Sequence, residues 1–222
     1  ELISEFRKFE FDSDFSFKKD IDKNIKFIFG PPGTGKTTEL ARQINSIRKE
    51  NNEKILVLTP TNKSADVLAR KIITIADADY PDWLIRFGNS AAIDDEMNSI
   101  VKDREHTISN LDSCVVICTI FRLPYDKFLD QMLNEISWDR IYFDESSMIH
   151  ISYAAYTLMK LDAKTFIFAG DPLQIQPIMQ YNDPGWQDQN IYEMFELKDF
   201  VKPETKPKQY DIKILKTQYR SI

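Results

Sequence analysis

Glycine, cysteine and histidine are scarce in this sequence, and no long apolar run interrupts it. Of 222 residues only six are Gly, two are Cys and two are His. So little glycine excludes a collagen-like or low-complexity chain, and 42% hydrophobic with 29% charged residues is the balance of a globular protein. No stretch approaches the roughly 20 apolar residues needed to span a bilayer. The first residues, Glu1-Leu2-Ile3-Ser4-Glu5, lack the basic start and apolar stretch of a secretory leader. These absences predict a cytoplasmic protein with no membrane partner. Cys114 and Cys118 flank the apolar run Val115-Val116-Ile117, and the histidines are His106 and His150. A zinc site needs more such ligands close together, so buried thiols in a reducing compartment, and no zinc, are expected. The net charge of −6 argues against nonspecific binding to nucleic acid and leaves a local groove as the route to it. The chain starts without Met and stops at Arg220-Ser221-Ile222, just after a strand-like segment, which is the appearance of a fragment of a longer protein.

What is present is a rhythm of short apolar runs: Phe27–Phe29, Ile55–Leu58, Val115–Ile117, Ile141–Phe143, Phe166–Ala169 and Ile212–Leu215. Continuous rather than alternating apolar character suits strands covered on both faces. Between them the spacing predicts helices over Lys36–Lys49, Lys63–Ile75 and Tyr125–Ile136, the last carrying Phe128, Leu129, Met132, Leu133 and Ile136 at helical intervals. The alternation predicts a doubly wound α/β domain over residues 25–222, with a mostly parallel sheet and helices on both faces. Residues 1–24 form an N-terminal extension in which Phe9, Phe11, Phe15 and Phe17 alternate with polar residues, a pattern that fits a hairpin packing one aromatic face on the core. Residues 76–113, with Pro81, Gly88, Asn89 and Ser90, form the longest stretch between expected strands and predict a small inserted lobe. Residues 172–210 predict turns around a short helix near Ile191–Leu197.

Three of the six glycines fall in Gly30-Pro31-Pro32-Gly33-Thr34-Gly35-Lys36-Thr37, between an expected strand and an expected helix. That is the phosphate-loop pattern in the context that makes it meaningful: glycine lets backbone N–H groups converge on phosphate oxygens, and the helix N-terminus adds its positive dipole end. Lys36 is expected at the β- and γ-phosphates of ATP and the Thr37 hydroxyl on Mg²⁺, with Thr38 completing the cradle. Ile141-Tyr142-Phe143-Asp144-Glu145 ends a strand in an acidic pair. Asp144 is there positioned to hold Mg²⁺, and Glu145 to orient and deprotonate an attacking water. Gly170-Asp171-Pro172-Leu173-Gln174 leaves a third strand, with Gln174 a neutral donor and acceptor able to sense a γ-phosphate.

Taken in order, these segments resemble the first RecA-like core domain of a superfamily 1 helicase, in the branch of the nonsense-mediated-decay helicase. Residues 30–37 match motif I; Leu58-Thr59-Pro60-Thr61-Asn62-Lys63-Ser64-Ala65 resembles motif Ia; and Cys118-Thr119 resembles the next nucleic-acid motif. Asp144-Glu145-Ser146-Ser147 resembles motif II, Gly170 to Pro177 motif III, and Leu215 to Ser221 motif IV. Ile85-Arg86-Phe87-Gly88 is similar to that branch's Arg-hydrophobic-Gly segment. The resemblance implies that Thr59, Pro60, Thr61, Asn62 and Thr119 lie at positions that bind a nucleic-acid backbone, that Tyr219 stacks near adenine, and that Arg220 reaches the γ-phosphate. It also implies a second RecA-like domain beyond residue 222, single-stranded DNA or RNA as partner, and ATP hydrolysis as the reaction. The sequence departs from the family in having no glutamine before Gln43 and in Ile175-Gln176-Pro177 after Gln174. A rival reading stays open, a non-translocating P-loop NTPase that remodels or recruits a protein.

Overall fold

The computed structural model describes residues 25–90, 94–102, 114–174, 190–195, 197 and 210–217, without the side chains of residues 128 and 130–132. The aromatic N-terminal segment lies outside the described residues. All six expected strands form: β1 (Ile25–Phe29), β2 (Ile55–Thr59), β5 (Val115–Thr119), β6 (Trp138–Phe143), β7 (Ala163–Gly170) and β8 (Asp211–Ile214). Two further strands, β3 (Leu84–Phe87) and β4 (Val101–Lys102), arise within residues 76–113. The sheet has eight strands in the order β4-β3-β5-β2-β6-β7-β1-β8, and every described pairing is parallel. Where a separate lobe was expected, residues 84–87 and 101–102 therefore extend the edge of the same sheet. The physical reason is that β3 pairs with β5 through Leu84, Ile85 and Arg86, which buries a stretch whose central charge hid its strand character.

The helices are α1 (Lys36–Asn51), α2 (Asn62–Ile75), α3 (Asp95–Ile100), α4 (Lys127–Asn134), α5 (Ile151–Lys160) and α6 (Ile191–Met194). They cover both faces, as period-two alternation along the strands requires. In β2, Ile55 and Val57 pack with Leu40, Ala41 and Ile44 of α1 and Leu68 and Ile72 of α2. Leu56 and Leu58 pack on the other face with Leu129 and Leu133 of α4 and Ile151, Ala154 and Leu158 of α5. On that second face Phe143 and Phe168 stack with centroids 4.2 Å apart, and Phe27 lies against Tyr192 and Phe195. Two apolar layers of this kind hold the strand ends in register, and the strand ends carry the chemistry. Cys114 and Cys118 are free and buried, and burial pushes their thiols up to about 11 and about 12, so neither is a thiolate at neutral pH. Among the described residues no helix is long and apolar enough to cross a membrane.

Candidate nucleotide site

The carboxyl ends of β1, β7 and β6 lie side by side, with Phe29 opposite Gly170 and Phe143 opposite Phe168. The loop leaving β1 turns at Gly33 and Gly35, whose φ values of 85° and 79° suit a residue without a side chain. Gly35 also begins α1 with no side-chain cap, so the first N–H groups of that helix have no intrahelical acceptor. Gly30 N–H donates to Gly170 O at 3.2 Å and Thr34 Oγ1 to Pro31 O at 2.8 Å, tying the loop to β7 and to itself. A Cβ at Gly30 would collide with Thr34 Oγ1. Pro31 and Pro32 are exposed, and Gly33, Gly35, Thr37 and Thr38 are half-buried.

Lys36 Nζ donates to Gly30 O at 2.5 Å and to Pro31 O at 3.2 Å. Burial lowers its pKa below the usual ammonium value, while the charges of Asp171, Asp144 and Glu145 oppose that shift. One half-buried cation thus faces three carboxylates from the ends of two strands. Asp144 is 1% exposed and its Oδ1 accepts the Glu145 N–H at 3.0 Å. Burial pushes its carboxyl up to about 7, helped by the neighbouring Glu145 charge and opposed by that N–H and by Lys36. Glu145 sits at φ 49° and ψ 41°, the left-handed region, at a cost of about 1 kcal/mol for a residue with a Cβ. Its Oε2 accepts Ser64 Oγ–H from α2 at 2.7 Å. Asp144 and the Thr37 hydroxyl offer hard oxygen donors. No group of three or more His, Cys, Asp or Glu among the described residues could cage a metal by itself, so this donor set fits a cation that arrives with phosphate ligands of its own.

The end of β6 is bonded to the turn after β7. Ser147 Oγ donates to Gln174 Oε1 at 3.1 Å, and Gln174 N–H donates to Asp171 O at 3.0 Å. Ser146 Oγ donates to Ala169 O at 2.9 Å beside the buried Tyr192 hydroxyl. Residues 175–177, Tyr219 and Arg220 lie outside the described residues.

The positions expected to touch a nucleic-acid backbone separate into two groups. Thr61 is exposed and caps α2, its Oγ1 accepting Ser64 N–H at 3.0 Å and lying 2.6 Å from Ser64 Oγ; Asn62 beside it is exposed too. Thr59 corrects the expectation. It is fully buried and its hydroxyl points at Thr61 O at 3.0 Å and Cys118 O at 3.5 Å, because β2 is still an interior strand there; it shapes the turn from beneath. Pro60 and Thr119 are buried as well, so these two expected contacts also lie beneath the surface.

Arg86 entered the sequence reading only as part of the Arg-hydrophobic-Gly segment, with no role given to it. Although 0% exposed, its guanidinium donates to Asp66 Oδ1 at 2.9 Å, Phe87 O at 2.6 Å, Asn62 Oδ1 at 2.9 Å and Asn89 O at 3.1 Å. It therefore fixes Asn62 at the start of α2. The signal was an arginine standing inside the apolar run Leu84-Ile85-Arg86-Phe87. Gly88 follows at φ 106°, and a Cβ there would meet the Arg122 guanidinium, which packs over the Phe87 ring at 5.5 Å.

A parallel sheet whose first strand enters a glycine-rich loop and helix, with an acidic strand end beside it, defines a P-loop nucleotide-binding α/β domain. The chain belongs to the AAA domain family, which matches residues 16–180, and is a RecA-like domain of the superfamily 1 helicase kind. A Danio rerio protein named as a helicase, mov-10-B.1, is 28% identical over 167 residues, covering 69% of this chain and 16% of the relative. The regulator of nonsense transcripts 1 homolog of Arabidopsis thaliana is 42% identical over 55 residues, 25% of this chain and 4% of its own length. The arterivirus nonstructural protein 10 helicase, solved in complex with DNA, shares the fold with a TM-score of 0.53 at 13% identity, covering 91% of this chain and 38% of that one. The chain thus spans about a sixth of the length of the first of these relatives.

Proposed function

We propose that this chain is the nucleotide-binding first motor domain of an ATP-dependent helicase or translocase acting on single-stranded DNA or RNA. The observation that carries the reading is the facing of Lys36 by Asp144, Glu145 and Asp171 at adjoining strand ends, because phosphoryl transfer needs a phosphate counter-charge, a metal-holding carboxylate and a proton acceptor in one place. The loop over residues 30–38 wraps the phosphates and binds them through the N–H groups of Gly33 and residues 35–38, and Lys36 leaves the loop carbonyls to neutralise the β- and γ-oxygens. Thr37 and Asp144 would hold Mg²⁺, which supplies positive charge to the phosphates when bound. Glu145 takes a proton from the attacking water as its oxygen bonds to the γ-phosphorus, and the bond to the bridging oxygen of ADP breaks. Gln174, bonded to Ser147, carries the state of the γ-phosphate from motif II to the turn after β7. Tyr219 at the adenine, Arg220 at the γ-phosphate and a second RecA-like domain complete the cleft in this reading, and the exposed Thr61 and Asn62 receive the nucleic-acid backbone.

The helicase relatives and the DNA carried by the arterivirus structure support the nucleic-acid half of the proposal. Steady-state ATPase of the full-length protein, with and without oligo-dT or oligo-U, tests it. Turnover that rises with single strands and disappears in Lys36→Ala supports the motor. Turnover indifferent to both oligonucleotides moves the assignment to a protein-remodelling NTPase.

A further inference from the structure

The hydrogen bonds around Ser64 form a chain with a fixed count of protons. Ser64 Oγ gives its single proton to Glu145 Oε2 at 2.7 Å. A carboxylate only accepts, so in the 2.6 Å pair between Ser64 Oγ and Thr61 Oγ1 the donor is Thr61. Thr61 Oγ1 also accepts the Ser64 N–H at 3.0 Å as the cap of α2. The one proton of the Thr61 hydroxyl is therefore committed to Ser64. A phosphate oxygen accepts and cannot donate, so a nucleic-acid backbone can bond this hydroxyl only by taking that proton from Ser64.

The other end of the chain bears on catalysis. The carboxylate oxygen that accepts the Ser64 O–H has one lone pair fewer to offer the proton of an attacking water. The bond also fixes the side chain toward α2, in a residue whose backbone already occupies the left-handed region. Ser64 sits in the first turn of α2, one element away from the phosphate loop, and nothing in the phosphate-binding geometry needs it. The chain Thr61–Ser64–Glu145 is a direct link, two side-chain hydrogen bonds long, between the exposed start of α2 and the acidic end of β6.

We infer that Ser64 is a positioning residue that holds Glu145 back until a phosphate of a bound single strand claims the Thr61 hydroxyl proton. This deepens the function proposed above and rests on its assignments of Glu145 and Thr61. When Thr61 turns to the phosphate, Ser64 Oγ loses the bond that anchored and polarised it, its hold on Glu145 weakens, and the carboxylate is freed to take a proton from water. The coupling is reciprocal, because whatever the strand does to the chain the chain does to strand affinity. Removing the Ser64 hydroxyl leaves the Thr61 cap intact and its proton uncommitted. The Ser64→Ala protein then binds single strands more tightly and hydrolyses faster without them. A residue with a merely structural role would do neither.

The test uses the full-length protein and two readouts. Fluorescence anisotropy with labelled oligo-dT and oligo-U, at fixed salt and without nucleotide, is expected to show about threefold tighter binding for Ser64→Ala, the size of one hydrogen bond no longer broken on binding. Strand-free turnover is expected to rise about fivefold with the KM for ATP within about twofold, so that stimulation by the strand shrinks. Ser64→Thr, which keeps the hydroxyl, should return both values toward wild type. Weaker or unchanged strand binding in Ser64→Ala, or turnover that falls equally with and without the strand, overturns the inference. Glu145→Gln separates the two levels. If it abolishes turnover while Ser64→Ala matches wild type, the inference alone falls; if Glu145→Gln turns over normally, the function assigned to Glu145 falls, and the inference with it.

Discussion

The phosphate loop and the opposite side of β2 are built by contrary means. The loop over residues 30–37 is assembled from neighbours in the chain, with Gly30, Thr34 and Lys36 bonded to Pro31 or to one another's backbone within six residues. The surface around Asn62 is held by Arg86, which joins Asn62 and Asp66 of α2 to Phe87 and Asn89 at the end of β3, with Arg122 packed over Phe87. The first region depends on residue types at a fixed spacing and tolerates water. The second depends on a charge buried with every partner in place. Failure should therefore be chemical in the first region and structural in the second.

The largest effect should come from breaking the chemical side. Glu145→Gln keeps the shape of the side chain and accepts no proton, so ATPase turnover of the full-length protein should fall by about 10³-fold while nucleotide affinity stays within a few-fold. A drop in nucleotide affinity of the same size would place Glu145 among the binding groups instead. Breaking the structural side gives the next largest effect. Arg86→Ala leaves the Asp66 carboxylate buried opposite nothing and should lower the unfolding free energy in urea by about 3 kcal/mol. Replacing both partners, Arg86→Met with Asp66→Leu, should recover most of that loss. Single-strand affinity should stay low in the double variant because Asn62 loses its anchor. Full recovery of affinity would mean that Arg86 contributes only packing.

Asp144 sharpens the comparison, since it carries a buried charge on the chemical side. The native carboxyl holds its proton up to about 7, whereas an unfolded aspartate loses it near 3.8. The native state therefore binds the extra proton between those values, and stability falls as pH rises through that window. Asp144→Asn removes the burden. It should be more stable than wild type by about 2 kcal/mol near about pH 8, with the difference vanishing toward about pH 4, by urea unfolding across the range. The opposite slope would contradict the burial argument. Metal-nucleotide binding by the wild type should also weaken below about pH 7, because the carboxylate must lose its proton to hold the cation.

The smallest expected effects divide Thr61 from Thr59. Thr61→Ala should reduce single-strand affinity about fivefold, with little dependence on base sequence, since a hydroxyl of this kind meets backbone. Thr59→Val should leave that affinity within about twofold and instead cost about 1 kcal/mol of stability, as its buried hydroxyl bonds the Thr61 carbonyl and lies near that of Cys118. Equal losses of affinity would put Thr59 back on the binding surface.

How much of this could be seen in the sequence follows the same division. The six apolar strands were legible because burial on both faces leaves each as an unbroken run, and the phosphate loop was legible because its glycines and lysine are contiguous. β3 was hidden because Arg86 interrupts Leu84-Ile85-Arg86-Phe87, and β4 because two residues carry no pattern. The helix α5 was not among the expected ones. Its buried residues Ile151, Ala154, Ala155 and Leu158 are small or few, and it begins at a histidine cap whose ring nitrogen accepts the Ser152 N–H. Thr59 was placed with Thr61 because the two are alike in sequence, and only burial tells them apart.

The sequence by itself determined the parallel α/β class, the phosphate loop at residues 30–37 and the acidic pair at residues 144–145, because those features rest on local spacing and on residue types that few other conformations use. The tertiary structure decided that residues 84–87 and 101–102 complete one sheet, that Thr59 faces inward while Thr61 faces out, and that Ser64 of α2 meets Glu145 of the loop after β6. Each of those outcomes joins residues separated by many positions in the chain. Such contacts are selected by packing and by the need to pair buried polar groups, which no window of sequence contains.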